Sequence, residues 1–220
     1  MDIVLKDEDI EKVRDVFPQL NCEVRNGRIW GTLDLCCWYD SSSRELEHNS
    51  QHREAIYDSY EIEIKFDKKD LFGFPKVYET SGRILRFSTD SEVDLEDLHV
   101  DKNDCNSCCL GIFPEYRWQG AVDFILKKVV PFFYWQSYRR IKGQEPWEGH
   151  AHGDRGIEDA LALVSRRGKG RNRNALCYCN SGKKYKKCCD QQDSILRSSL
   201  LKVKMDRRKL NTNHSDKDSR

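Results

Sequence analysis

The sequence predicts an α+β body followed by a small module organised by metal-binding cysteines. Apolar residues recur at helical spacing over 7–17 and at strand spacing from there to residue 79, which gives the body a helix and then a sheet. Cys177, Cys179, Cys188 and Cys189 form a C-x-C-x8-C-C pattern in a stretch too short to fold on burial alone. Charge reverses between the two parts: residues 1–160 carry 21 basic and 32 acidic side chains, a net of −11, and residues 161–220 carry 17 and 5, a net of +12.

The 220 residues are 34% charged, with a mean hydropathy of −0.80. There is no run of 18 apolar residues, and the acidic, amphipathic start MDIVLKDEDIEKVRD reads as neither a membrane span nor a signal peptide. A cytoplasmic protein is expected. Ten cysteines in such a chain point to a reducing compartment, where thiols serve metals or catalysis rather than structural disulfides.

Taken in order, Ile10, Val13, Val16 and Phe17 share one helical face, acids open that helix, and Pro18 stops it. Residues 23–29 and 32–39 alternate as two antiparallel strands around a turn at Gly31. The polar residues 40–54 read as a loop, in which His48 and His52 stand at metal-ligand spacing without an evident third ligand. Tyr60, Ile62, Ile64 and Phe66 define a strand over 57–66, and Pro75 leads into another at 76–79, completing a four-stranded meander. An acidic loop is expected over 88–98. From 119 to 140 apolar residues return at helical spacing, with a kink expected at Pro131 and an aromatic cluster, Phe132, Phe133 and Trp135, facing the core.

Between these elements lies His99 to Leu110, HVDKNDCNSCCL, polar enough to be a loop. Cys109 there is a candidate nucleophile, since a thiol of pKa ~8.5 already holds some thiolate at neutral pH. Cys105, Cys108 and Cys109 also form a C-x-x-C-C cluster, open to a zinc site, a regulatory disulfide or a redox sensor. Residues 145–159, with His150 and His152, read as a solvated connection or a flap over the cysteine loop.

A leading helix, a meander, a His ten residues before a Cys-Leu pair and a following long helix together resemble the ubiquitin-conjugating enzyme fold, over roughly residues 1–160. The likeness is greatest to the divergent bacterial members of antiphage CBASS systems. That resemblance implies that Cys109 forms a thioester, with His99 and Asp101 standing where the family has the ends of its His-Pro-Asn tripeptide. Asp101 is a departure, because a carboxylate donates no hydrogen bond to an oxyanion unless protonated; Asn103 or Asn106 could take that role. The implied partner is the C-terminus of a cGAS-like nucleotidyltransferase, or a ubiquitin-like protein. No Gly-rich phosphate loop is present, so activation must come from another protein.

After a short helix at 157–165, a basic linker over 161–174 leads into the cysteine module at 175–190. Four thiolates around a Ser-Gly turn suit structural Zn2+ with no position left for water. The pattern Cys-x-Cys-x-Ser-Gly-x-x-x-Lys-x-Cys-Cys is similar to the SEC-C motif, which implies an adaptor-like zinc module. Lys183, Lys184, Lys186 and Lys187 surround the cysteines, and 195–210 reads as a basic helix before a disordered end, together a surface for nucleic acid or an acidic protein. Two functions follow as expectations: a thioester-forming transferase, or an inactive adaptor of the same fold that recruits partners through its zinc tail.

Overall fold

Strand alternation at Tyr60, Ile62, Ile64 and Phe66 builds the middle of an antiparallel sheet, and every one of these side chains is buried. The computed structural model describes residues 3–70, 73–111, 116–147, 153–167, 173–179 and 181–215, with side chains described outside 153–155, 167 and 206–215. The chain is mixed α/β and divides into two units. Residues 2–110 and 118–149 form one, and residues 111–117 with 150–220 form the other.

The first unit starts with α1 (Asp7–Val16), whose acids Asp7, Glu8 and Asp9 occupy the positive end of the helix dipole. Asp9 does more than that. It is 5% exposed, accepts the Lys6 N–H at 3.0 Å, and accepts the Ala121 N–H at 3.1 Å, capping a second helix start 112 residues away. The sheet follows as β1 (Leu20–Glu23), β2 (Arg28–Asp40), β3 (Glu45–His48), β4 (Ile56–Lys69) and β5 (Pro75–Glu79).

The reversal between β1 and β2 lies at Val24–Gly27, not at Gly31 as the sequence suggested. Gly31 sits inside β2 at φ +132°, where a Cβ would stand 2.3 Å from the Gln19 carbonyl oxygen. Glycine is needed there for close backbone approach, which a sequence reading mistakes for a turn. The expected loop at 40–54 contains β3, paired with the end of β2 from Asp40↔Glu45 to Cys37↔His48. Its four residues hold a single aliphatic side chain, Leu46, so it carries no hydrophobic period.

Two further corrections concern 80–110. Residues 83–91 form helix α2 (Arg83–Ser91) where an acidic loop was expected to begin; Thr89 and Ser91 donate their hydroxyls to carbonyls four residues back, and only Ile84 is buried. The cysteine segment is not a plain loop either. It forms a hairpin of β6 (Val100–Asp101) and β7 (Ser107–Cys108), and β7 joins the sheet through Tyr78↔Ser107. The sheet order is therefore β1-β2-β4-β5-β7-β6, with β3 attached to β2. The expected four-strand meander is its larger part.

The long helix runs as α3 (Ala121–Phe124), a π turn over Ile125–Val129, and α4 (Val130–Lys142). Pro131 falls at the start of α4, and the π turn before it absorbs the missing N–H that the sequence reading expected to kink the helix. Phe133, Tyr134, Trp135 and Ser137 of α4 are buried, and the Phe133 and Tyr60 rings approach to 4.7 Å. Burying an apolar side chain such as Phe133 contributes about 1.5–3 kcal/mol. Polar pins fix the angle: Asp58 on β4 holds Arg83 at 2.6 Å, Arg140 at 2.7 Å and the Ser137 hydroxyl at 2.6 Å.

In the second unit, α5 (Gly153–Arg167) packs against α6 (Asp190–Ser215). Ile157, Ala160 and Val164 of α5 and Leu200 of α6 are buried, and Arg197 donates to the Val164 carbonyl at 3.1 Å. Thus helix continues through 161–167, into the stretch read as linker, because the period of Ile157 carries on to Val164. Likewise α6 reaches Ser215, into the segment read as disordered. No helix among the described residues is long and apolar enough to cross a membrane.

Candidate metal centre and the exposed cysteine hairpin

Cys177, Cys179, Cys188 and Cys189 converge because a short reversal folds the chain back on itself. The Cys177 N–H donates to the Lys183 carbonyl at 2.8 Å, the Tyr185 N–H to Ala175 at 2.9 Å, and Gly182 at φ +72° makes the turn. A 3-10 turn, Tyr185–Lys187, then delivers Cys188 and Cys189 to the start of α6. The four sulfurs lie within 4.8 Å of one another, with Cys179 to Cys188 at 3.4 Å and Cys188 to Cys189 at 3.8 Å. Tetrahedral ligands at ~2.3 Å from Zn2+ stand about 3.8 Å apart, so the donor set and its spacing fit a metal ion such as zinc.

The thiols themselves are unevenly disposed. Cys177 and Cys189 are buried, and Cys179 and Cys188 are half-buried. Hydrogen bonds from Ser181 bring Cys179 down to about 6, while burial pushes Cys189 up to about 12 against the opposing pull of Arg117. Four sulfurs this close do not all ionise without a cation among them. A metal ion bound here would release protons and tie the four cysteines of the module together.

Around the cluster lies a polar cage that the sequence reading missed. Asp193, on the first turn of α6, is fully buried; it accepts the Tyr185 hydroxyl at 2.8 Å, the Tyr178 hydroxyl at 2.9 Å and the Arg117 guanidinium at 3.1 Å. Arg117 also donates from Nε to the Cys189 sulfur at 3.3 Å and from Nη2 to Tyr178. Tyr178 and Tyr185, interleaved with the cysteines, were the available signal. Nothing local marked Arg117.

In the first unit, the hairpin of β6 and β7 brings His99 and Cys109 together at its base. The Cys109 N–H donates to the His99 carbonyl at 2.7 Å, so the ten-residue spacing closes a hydrogen-bonded loop. His99 adopts φ +57°, and its ring meets the Trp135 indole edge-on at 4.8 Å. From α4, Gln136 donates to the Leu98 carbonyl at 2.6 Å and anchors the same base. Cys109 is exposed, whereas its neighbour Cys108 points into the sheet, where burial pushes the thiol far up.

Asp101 is exposed, and its carboxylate accepts the Asn103 N–H at 2.9 Å within the turn. Asn103 is exposed and Asn106 half-buried, and Cys105 and Asn106 hold the turn at φ +50° and +60°. Asp104 pairs with Lys76 at 2.5 Å and accepts the Ser107 hydroxyl at 2.6 Å; these bonds outweigh burial and hold it below the usual carboxylate range. Among the described residues, the four cysteines of the C-terminal module are the one group of three or more His, Cys, Asp or Glu side chains close enough to share a metal. Cys105, Cys108 and Cys109 are thus not gathered as ligands. His48 lies 3.8 Å from the Cys37 sulfur and His52 stacks on Trp38 at 4.0 Å, so those two histidines serve local packing. None of the ten cysteines is in a disulfide. His150 and His152 lie outside the described residues.

No curated protein and no solved structure matches the chain. Residues 173–190 match the family model of the SEC-C motif, and they carry the four-cysteine cluster that is compatible with a metal ion.

Proposed function

We propose that the chain is a ubiquitin-conjugating-like transferase that takes the C-terminus of a partner protein as a thioester on Cys109, and that its C-terminal module holds structural Zn2+. The observation that carries the reading is the exposure of Cys109 at the base of a hairpin pinned to His99, beside a meander backed by a helix. The order of elements and the ten-residue spacing are those of the resemblance. The adjacent Cys108 is sealed in the sheet, so only one of the paired thiols meets a macromolecular substrate.

The chemistry asks little of the site. The Cys109 thiolate attacks the carbonyl carbon of a thioester presented by an activating protein; a new C–S bond forms, the old one breaks, and the departing thiolate takes up the proton. Sulfur replaces sulfur at nearly equal energy, so an accessible thiolate suffices and no strong base is needed. Onward transfer to an amine demands more. It needs a base for the ammonium and a donor for the oxyanion, and the Asp101 carboxylate offers no amide N–H for the second of these.

The cargo we favour is the C-terminus of a cGAS-like nucleotidyltransferase in bacterial antiphage signalling, with a ubiquitin-like protein as the other candidate. Cys177, Cys179, Cys188 and Cys189 would hold the zinc, which supplies fold stability and no reactive water because all four positions are thiolate. The test is a non-reducing gel of the chain with its activated partner. An adduct lost on adding thiol reductant and absent in Cys109→Ala supports the reading; an adduct that survives that substitution overturns it. A carboxylate in place of an amide at Asp101 favours a second reading, an adaptor of the same fold without transfer chemistry. Biological activity that survives Cys109→Ala but is lost in Cys177→Ser would select it.

A further inference from the structure

We propose that Arg117, which lies outside the SEC-C motif, is a built-in part of the metal centre: it positions Cys189 as a ligand, so that metal loading and the docking of residues 116 and 117 are one equilibrium. The inference rests on the reading of the four cysteines as a metal site and adds to it a residue that the motif does not contain.

The geometry assigns Arg117 two jobs at once. Its Nε–H points at the Cys189 sulfur at 3.3 Å, and its Nη2 reaches the Asp193 carboxylate at 3.1 Å. The guanidinium carbon also lies 5.4 Å from the centre of the Tyr178 ring, and Tyr178 follows directly after Cys177. One planar cation therefore touches a ligand sulfur, the neighbour of a second ligand, and the buried acid that fixes Tyr178 and Tyr185. A fork of fixed N–H directions serves this purpose where lysine, a single flexible point charge, would not.

Charge explains why a cation belongs there. Four thiolates around a divalent ion leave a net charge of −2, and Asp193, with no solvent exposure, adds another negative group one helical turn from Cys189. The surrounding lysines are exposed and cancel little of this at short range. Arg117 is 20% exposed and lies inside the cage. An N–H···S bond to a ligand thiolate fixes its direction and draws off charge, the role that hydrogen-bonding partners play around other metal ligands, where their loss weakens metal affinity about 10–100-fold.

The consequence reaches along the chain. Arg117 stands eight residues after Cys109, and Gly111, Tyr116 and Arg117 group with the C-terminal unit by their contacts. Without the metal the cage loses its centre, and the anchor that holds residues 116 and 117 goes with it.

The test uses the full chain loaded with Zn2+, titrated with a competing chelating dye, and the same chain loaded with Co2+ and followed by thiolate-to-cobalt absorption. Arg117→Gln should weaken Zn2+ binding about 10–100-fold and shift the cobalt bands. Arg117→Lys should recover part of the affinity. Arg173→Gln, which removes an arginine paired with Asp190 beside the cluster but touching no sulfur, should stay within about twofold of the parent. Arg117→Gln binding as tightly as the parent, or Arg173→Gln weakening it equally, overturns the proposal. Hydrogen exchange on the unmutated chain gives a reading independent of variant folding: the amides of residues 116 and 117 should exchange faster once Zn2+ is removed, and unchanged rates refute the coupling. A parent chain that takes up no Zn2+ or Co2+ overturns the metal reading itself, and this inference with it.

Discussion

Asp58→Asn removes one charge from the point where sheet and helix are clamped. Its carboxylate is 7% exposed and accepts from Arg83, Arg140 and the Ser137 hydroxyl at 2.6–2.7 Å, and Ser137 in turn lies 3.1 Å from the Tyr60 hydroxyl. Breaking a fully buried ion pair costs about 3–5 kcal/mol. Here the guanidinium groups are 30% and 32% exposed and recover part of their hydration, and asparagine keeps an acceptor for Ser137, so we expect a loss of about 2 kcal/mol at pH 7. Urea unfolding followed by tryptophan fluorescence would measure it. Burial alone would raise the Asp58 carboxyl, but the bonds from Ser137, Arg140 and Arg83 hold it below its ordinary value. A carboxyl depressed in the native state contributes stability above its unfolded value of about 3.9, and that contribution fades as pH falls through the native value. The gap between parent and variant should therefore be full at neutral pH and close in acid. A gap under about 0.5 kcal/mol at pH 7, or one that does not change with pH, would refute the clamp.

Gly31→Ala should destabilise the first unit by at least about 2 kcal/mol in the same assay, because its Cβ would meet the Gln19 carbonyl at 2.3 Å from a left-handed φ. Iodoacetamide on the native chain should label Cys105 and Cys109 well before Cys108, read by peptide mass spectrometry, since Cys108 is sealed in the sheet and its thiol pushed up by burial. Cys177→Ser should abolish metal uptake and loosen the C-terminal unit, detected by metal analysis and hydrogen exchange at Tyr178 and Tyr185, while the exchange of Ile62 and Ile64 in β4 stays unchanged.

What could be read from the sequence was what repeats or converges locally. Val13 in α1, the alternation of β4 and the spacing of the four cysteines each announce themselves within a dozen residues or so. The strand β3 did not, because Glu45 to His48 has one aliphatic residue, Leu46, and pairs with β2 through a four-residue ladder. Helix α2 escaped because Ser and Thr in its last turn satisfy backbone carbonyls, a use that composition alone assigns to loops. Gly31 was misread because close approach and turning both call for glycine. The cage around the metal cluster lay furthest from view: Arg117 meets Cys189 across 72 positions, and no pattern in a single sequence links them. For the hairpin, the spacing of His99 and Cys109 was visible, but the opposite fates of Cys108 and Cys109 depend on the register Val100↔Cys108, which only the sheet supplies.

The claim on which the functional account stands is that the Cys109 sulfur carries another protein's C-terminus. Peptide mass spectrometry of the chain after reaction with its activated partner, digested without reductant, addresses it directly, with Cys105, also exposed, as an internal comparison. The account predicts a reductant-labile adduct on Cys109 and none on Cys105. An adduct shared between the two thiols, or unmodified Cys109 in the presence of a partner that modifies other sites, would contradict it.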